Sequence, residues 1–213
     1  MTIRNLIDNF NKHFRENFWM YLLTILFLCT GVILGIYSVK YMSNNDKSSL
    51  INYVTSLSKS STLEGINNKA IFFEAVKSNL PIIIGYWFLG LTIVGIPVIL
   101  VLSIFKGFSI GFTISFFVYS LKDRGLLLAV LGVVPQNIIY IPCVIFASVL
   151  SIQFSLNMLK EKLNKNYKGY KGNSIASYTL SFICIMAIMT VGFLLEAFVT
   201  PSLIRFALKG VGV

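Results

Sequence analysis

Hydrophobic stretches without a charged side chain dominate this sequence of 213 residues. The five stretches cover residues 18–39, 80–105, 107–121, 125–159 and 172–195. A helix needs about 20 apolar residues to cross the hydrocarbon core of a bilayer, and four of the stretches are long enough. Of all residues 56% are hydrophobic and only 12% are charged, whereas soluble domains usually have about 25% charged residues. The chain is therefore predicted to be a membrane protein.

Residues 107–121 are short for a full crossing, because a helix of this length extends about 22 Å. Lys106 separates this stretch from the preceding one, so we interpret it as a third span that either crosses or is re-entrant. Residues 1–17 form a predicted amphipathic helix, and residues 160–171 form a lysine-rich loop. Both are predicted to be cytoplasmic by the positive-inside rule. An even number of crossings must then separate them, which favours a crossing for 107–121.

The predicted fold is an all-α, polytopic transmembrane helical bundle with about five spans and short interfacial amphipathic helices. The predicted spans are 18–39, 80–105, 107–121, a kinked 125–159, and 172–199. Residues 40–79 are predicted to form an extracytoplasmic loop with two short helices, the second over Ala70–Val76. Residues 200–213 are predicted to be a carboxyl-terminal interfacial segment. The amino terminus is then inside the cell and the carboxyl terminus outside.

Two pairs of glycines have the spacing that lets transmembrane helices pack closely. They are Gly31 with Gly35, and Gly107 with Gly111. Glycines one turn apart leave a groove in which a neighbouring backbone fits. The spacing is expected to serve packing within the bundle or contact with another subunit, so a homo-oligomer remains an open alternative.

The fourth stretch contains an unusual polar motif between two prolines. Pro135 and Pro142 each remove a backbone hydrogen-bond donor, and Gln136 and Asn137 bring amide groups into an apolar segment. The amides can bond to freed carbonyls or to another helix, which gives a structural kink. A broken helix with polar groups is also how transporters build a substrate site, so both interpretations remain.

Glu196 is the only acid within a hydrophobic segment, close before Pro201. A carboxylate inside a membrane is unfavourable, so such a residue is a functional candidate by default. We expect it to lie at the outer interface, to accept hydrogen bonds from a neighbouring helix, or to pair with Lys122 or Arg124.

No catalytic set, cofactor site or metal site is predicted. The chain has one histidine and three cysteines that each lie in an apolar run, without a CxxC pair. Its formal charge of +10 suits contact with an anionic lipid bilayer. On this hydrophobic background the charge indicates no nucleic-acid partner.

Four stretches of the sequence together resemble the stage II sporulation protein M family. They are Trp87–Pro97, Phe105–Ser115, Pro135–Pro142 and Leu195–Pro201. The wider family carries a His-Gly pair and a glutamate in the fourth-span motif, where this chain has Gln136, Asn137 and Tyr140. That departure points to the sporulation branch.

The resemblance implies a non-enzymatic anchor in the septal or engulfing membrane of the mother cell. Such proteins hold two peptidoglycan-degrading proteins, resembling stage II sporulation proteins D and P, during engulfment of the forespore. The alternative, motivated by the residues, is a transport or channel subunit that uses the broken fourth helix.

Overall fold

A computed structural model describes residues 14–52, 68–120, 125–163 and 173–202. Nearly all of these residues are helical, and none of them belongs to a strand. The long helices are α1 (Phe18–Tyr41), α2 (Asn68–Gly90), α3 (Gly95–Ser120), α4 (Gly125–Leu163) and α5 (Asn173–Leu194). A π-helical turn, Leu195–Val199, continues α5, and a short helix covers 44–52. The predicted all-α fold is confirmed.

Four stretches in the described part of the chain are long and apolar enough to cross a membrane. They are Phe18–Tyr41, Gly95–Tyr119, Gly125–Leu163 and Ile175–Ser202. Helix α2 is not among them, and its first half carries exposed charged residues. The chain is therefore a multi-pass helical membrane protein.

The break between the second and third helices differs from the predicted one. The sequence analysis placed it at Lys106, between 80–105 and 107–121, whereas α3 runs without interruption across this lysine. The chain instead turns between Gly90 and Gly95. A Cβ on Gly95 would overlap the carbonyl oxygen of Leu89, so the turn needs glycine at this position. Lys106 does not end a helix because its ammonium group has partners inside the bundle.

The predicted short helix over Ala70–Val76 is also corrected. These residues form the first turns of α2, which continues through Pro81 to Gly90. Proline was expected in a first turn because it lacks an N–H. Here the helix is retained because Ala75, before the proline, and Ile83, after it, are both buried in the same core.

Successive helices run in alternating directions. Helices α1 and α3 are parallel, since Leu28 lies against Gly107 and Val32 against Gly111. Helix α2 is antiparallel to α3. Asn79 contacts Lys106, whereas Tyr86, which comes later in α2, contacts Ser103, which comes earlier in α3. Helix α4 is antiparallel to both α3 and α5. Each of the five long helices therefore runs antiparallel to the one before it in the chain.

Helix α4 is at the centre of the bundle. It contacts α1, α2, α3 and α5 and is the most buried of the four candidate spans, whereas α1 is the least buried. Helix α1 packs mainly on α3 and turns its other faces, including Trp19, outward. Helix α4 ends at Leu163, beyond the predicted boundary at residue 159.

Some predicted segments fall outside the described residues. They are residues 1–13 of the amphipathic helix, 53–67 of the outer loop, 164–171 of the basic loop and 203–213 of the carboxyl-terminal segment.

Candidate functional site

A lysine lies inside the bundle near the middle of α3. Lys106 is 8% exposed, and its Nζ donates a hydrogen bond of 2.7 Å to Oδ1 of Asn79 on α2. The Nδ2 of Asn79 donates to the carbonyl of Ala75 at 2.9 Å, which directs Oδ1 towards the lysine. Among the described residues, no carboxylate lies within ion-pairing distance of Nζ. An ammonium group with one neutral partner at this depth is costly, which makes Lys106 a functional candidate.

Tyr140 contacts both this lysine and an acid. The Nζ of Lys106 is 5.4 Å from the centroid of the Tyr140 ring, within the range of a cation–π interaction. The Tyr140 hydroxyl donates a hydrogen bond of 2.7 Å to Oε2 of Glu196. Such a bond to an ionised group is stronger than one between neutral groups. One buried phenol therefore contacts both a positive and a negative side chain.

Glu196 lies in the π-helical turn that follows α5. In this turn the backbone N–H of Thr200 bonds to the carbonyl of Leu195, five residues earlier. Single π-helical turns in α-helices are frequent at functional sites. The predicted hydrogen bond from a neighbouring helix is present, donated by Tyr140. Lys122 and Arg124, the predicted ion-pair partners, lie outside the described residues.

The amides of the fourth-span motif bond mainly to their own helix. Gln136 Nε2 donates to the carbonyl of Gly132 at 2.6 Å, and Asn137 Nδ2 donates to that of Val133 at 2.7 Å. Gln136 also reaches across, because its Oε1 accepts a hydrogen bond of 3.2 Å from the Thr200 hydroxyl. The Oδ1 of Asn137 is buried without a partner in the described part of the chain. Gln136 therefore joins α4 to the last turn of α5.

Helix α4 continues through both Pro135 and Pro142. Helices α3 and α4 form a groove of about 330 Å³, which is lined by Pro142, Asn137 and apolar side chains but not by Pro135. Pro201 follows Thr200 in the last described turn and is half-buried. None of the three prolines contributes a polar group to the cluster.

The four singled-out glycines form one interface. A Cβ on Gly31 or Gly35 would overlap backbone atoms of α3, and a Cβ on Gly107 or Gly111 would overlap backbone atoms of α1. The two glycine pairs thus face each other across the parallel α1–α3 contact. This interface lies within one chain and holds α3, the helix that carries Lys106.

Hydroxyl groups hold the turn between α2 and α3 on the central helix. Ser151 of α4 donates to the carbonyl of Tyr86 at 2.8 Å, and Ser155 donates to that of Thr92 at 2.7 Å. The Tyr178 hydroxyl of α5 donates to the carbonyl of Trp87 at 3.0 Å. Backbone groups at the end of α2 are thereby satisfied without water, as a membrane interior requires.

Of the two charged side chains in this cluster, Glu196 was predicted from the sequence as a candidate and Lys106 was not. It singled out Glu196, Tyr140 and Gln136, but it treated Lys106 as the end of a span and Asn79 as the end of a loop. A signal was available, because Lys106 is the only charged residue between Lys77 and Lys122. A lone lysine in the middle of so long an apolar stretch indicates a partner inside the bundle.

The cluster comprises an ammonium group, a carboxylate, a phenol and two amides from four helices. In the described part of the chain, no group of histidine, cysteine, aspartate and glutamate side chains could hold a metal ion. What the arrangement can do is hold hydrogen bonds and charged side chains within an apolar bundle.

No curated protein and no solved structure is significantly similar to the chain. The family model described as stage II sporulation protein M matches residues 24–201. The match extends from the first turns of α1 to the turn after Glu196 and so contains the whole charged cluster. It also contains both glycine pairs and the fourth-span motif. The chain therefore belongs to the stage II sporulation protein M family.

Proposed function

We propose that the protein is a non-enzymatic membrane anchor of the engulfment machinery in sporulating cells. It recruits peptidoglycan-degrading proteins resembling stage II sporulation proteins D and P to the septal membrane of the mother cell. Membership in the family, over a match that spans the five helices, is the observation that carries this proposal.

The exposed surface of α1 supports an anchoring role. Its Trp19, Leu26 and Leu34 are more than half exposed, while the opposite face of α1 packs on α3. An apolar helix at the edge of a bundle can contact lipid or the transmembrane helix of another protein. Recruitment through α1 would leave the charged cluster inside the bundle undisturbed.

Co-purification from sporulating cells tests the proposal. We expect the tagged chain, extracted in mild detergent, to enrich both hydrolases relative to an unrelated multi-pass protein carrying the same tag. We also expect fluorescent fusions of the hydrolases to lose their septal position when the chain is absent. Equal recovery with the unrelated protein, together with unchanged septal position, would contradict recruitment. Release of cell-wall fragments by the purified chain alone would contradict a non-enzymatic role.

The charged cluster favours one alternative, a transport or channel subunit. Ionisable residues inside membrane bundles often mark the path of an ion or substrate. This function predicts water access to α4 near the cluster, which a membrane-impermeant thiol reagent can detect. In a cysteine-free background, a cysteine at Asn137 should be labelled, whereas one at the lipid-facing Leu26 should not. Complete protection of the Asn137 position would contradict a water-filled path there.

A further inference from the structure

Two lysines at one end of the bundle have their ammonium groups over tyrosine rings. The Nζ of Lys40, in the last turn of α1, is 5.8 Å from the centroid of the Tyr37 ring and 5.9 Å from that of Tyr41. The Nζ of Lys47, in the short helix 44–52, is 5.7 Å from the centroid of the Tyr119 ring. All three distances are within the range of a cation–π interaction. We call these five residues the lysine–tyrosine end.

The ends of α1 and α3 lie on the same side of the bundle, because these helices are parallel neighbours. A Cβ on Gly35 would overlap backbone atoms of Phe108 and Phe112. Both helices end about two turns beyond this contact, α1 at Tyr41 and α3 at Ser120. The rings beside Lys40 and the ring beside Lys47 therefore belong to one face of the protein.

A helix cap positions Lys47. The Ser43 hydroxyl accepts a hydrogen bond of 3.2 Å from the N–H of Asp46 and donates one of 2.7 Å to its carboxylate. Ser43 is therefore the N-cap of the helix 44–52, and Lys47 follows in its first turn. A cation is unfavourable near the N-terminus of a helix because of the helix dipole. The helix itself thus gives no reason for a lysine at this position.

Neither ammonium group has an acidic partner in the described part of the chain. Lys40 and Lys47 interact there with aromatic rings and form no ion pair. The carboxylate of Asp46 accepts its hydrogen bond from Ser43 instead. An ammonium group has three hydrogen-bond donors, and a ring face does not use them all. Donors therefore remain at both lysines for an anion from outside the chain.

The surface beside Lys40 indicates the kind of anion. Helix α1 is a candidate membrane span that ends at Tyr41, so Lys40 lies at the level of lipid headgroups. Earlier in the same helix, Ile33, Leu34 and Ile36 are exposed apolar residues. A ligand with a phosphate group and acyl chains can contact both the lysine and these side chains, whereas a free phosphate ion can contact only the lysine.

We propose that the lysine–tyrosine end is a binding site for anionic phospholipids. Lys40 and Lys47 donate hydrogen bonds to the lipid phosphate groups, and acyl chains lie along the exposed apolar face of α1. The rings of Tyr37, Tyr41 and Tyr119 are positioning groups, because they hold the ammonium groups at headgroup level without a competing carboxylate. Such a site gives the chain a preference for membrane regions that are rich in anionic lipid. The inference does not depend on recruitment of hydrolases.

Native mass spectrometry of the full chain in detergent tests the proposal by lipid titration. Phosphatidylglycerol should bind more tightly than phosphatidylcholine with the same acyl chains. The double variant Lys40→Gln with Lys47→Gln should weaken phosphatidylglycerol binding by about fivefold for each lysine removed. Binding of phosphatidylcholine should not change.

The charge-matched control is the double variant Lys160→Gln with Lys162→Gln. It also removes two exposed lysines, but from the last turn of α4, which lies at the opposite end of the bundle because α4 is antiparallel to α3. We expect a much smaller loss of phosphatidylglycerol binding than in the first double variant. Equal losses in the two double variants, or equal affinities of the wild type for the two lipids, would overturn the site.

The role of the rings is tested at Tyr119 with the same titration. Tyr119→Leu removes the ring beside Lys47 and should weaken phosphatidylglycerol binding by about two- to fivefold. Tyr119→Phe keeps the ring and should bind like the wild type. Equal losses in the two variants would contradict positioning by the ring.

Glycerol phosphate, which has the phosphate group without acyl chains, distinguishes a lipid from a free anion. At millimolar concentration it should not displace bound phosphatidylglycerol from the wild type. Complete displacement would overturn the assignment to lipid.

Discussion

Replacement of Gly31 by alanine is expected to push α1 away from α3. A Cβ at this position would overlap the carbonyl oxygen of Ile104 and lie 2.9 Å from both the Ile104 carbonyl carbon and the Phe108 amide nitrogen. Favourable contact begins at about 3.5 Å, so the two backbones must separate by at least roughly 0.6 Å. Backbone atoms of a helix cannot yield individually, and the whole contact must therefore open.

The expected destabilisation is about 1–2 kcal/mol. Overpacking a close contact costs about 1–3 kcal/mol, and the better helix propensity of alanine offsets at most about 1 kcal/mol of this. For a chain of this size each kcal/mol corresponds to about 2–4 °C. The melting temperature of Gly31→Ala in a fixed detergent should therefore fall by about 2–8 °C.

Gly85→Ala is the matched control, measured by the same intrinsic-fluorescence melting assay. Its Cβ would meet only Cδ1 of Leu102, at 3.3 Å, and this flexible side chain can move. We expect a melting temperature equal to or slightly above that of the wild type, because alanine favours the helix.

A double variant at two facing glycines gives a more stringent test of the α1–α3 contact. Gly107 packs on α1 from the other side of the same contact, so a separation caused by one alanine already makes room for the other. The double variant Gly31→Ala with Gly107→Ala should lose clearly less than the sum of the two single losses. Strictly additive losses, or a Gly31→Ala variant as stable as Gly85→Ala, would refute the close contact between α1 and α3.

Three further predictions concern hydroxyl and thiol groups. Ser151→Ala should lower stability by about 0.5–1.5 kcal/mol, because the Tyr86 carbonyl loses its closer hydroxyl donor and keeps only that of Tyr178, whereas Ser181→Ala, whose hydroxyl bonds to its own helix, should have little effect in the same melting assay. Tyr140→Phe should cost about 1.5–3 kcal/mol, the value for a hydrogen bond to a charged group, and unchanged melting would contradict the bond to the acid. In detergent, a small maleimide should label the exposed Cys29 rapidly and the buried Cys143 only after unfolding, as measured by mass spectrometry; equal rates would contradict the burial.

The sequence predicted the fold class because uncharged runs follow directly from the demands of lipid on a backbone. It could not predict the break between α2 and α3, since that break depends on tertiary contacts. Lys106 was interpreted as the end of a span, whereas Asn79 and the Tyr140 ring provide partners for it inside the bundle. The turn between α2 and α3 is itself held by hydrogen bonds from Ser151 and Ser155, which are distant from it in sequence.

The candidate site was likewise predictable only in part: single unusual residues could be identified, but their contacts could not. Glu196 was identifiable because a carboxylate in an apolar run is exceptional whatever surrounds it. Its partner Tyr140 was identified only as part of a motif, since a tyrosine in an apolar helix has many roles. The glycine pairs were recognised from spacing, but their mutual contact requires α1 and α3 to be parallel neighbours, which spacing does not encode.

The hydrogen bond between Lys106 and Asn79 also has a consequence for biogenesis. A lysine at the centre of a single helix opposes its transfer into lipid by about 2.5–3.5 kcal/mol. Helix α3 leaves the ribosome directly after α2, which already carries the acceptor for that lysine. The two helices should accordingly enter the bilayer together as a hairpin, and α3 synthesised without α2 should insert less efficiently.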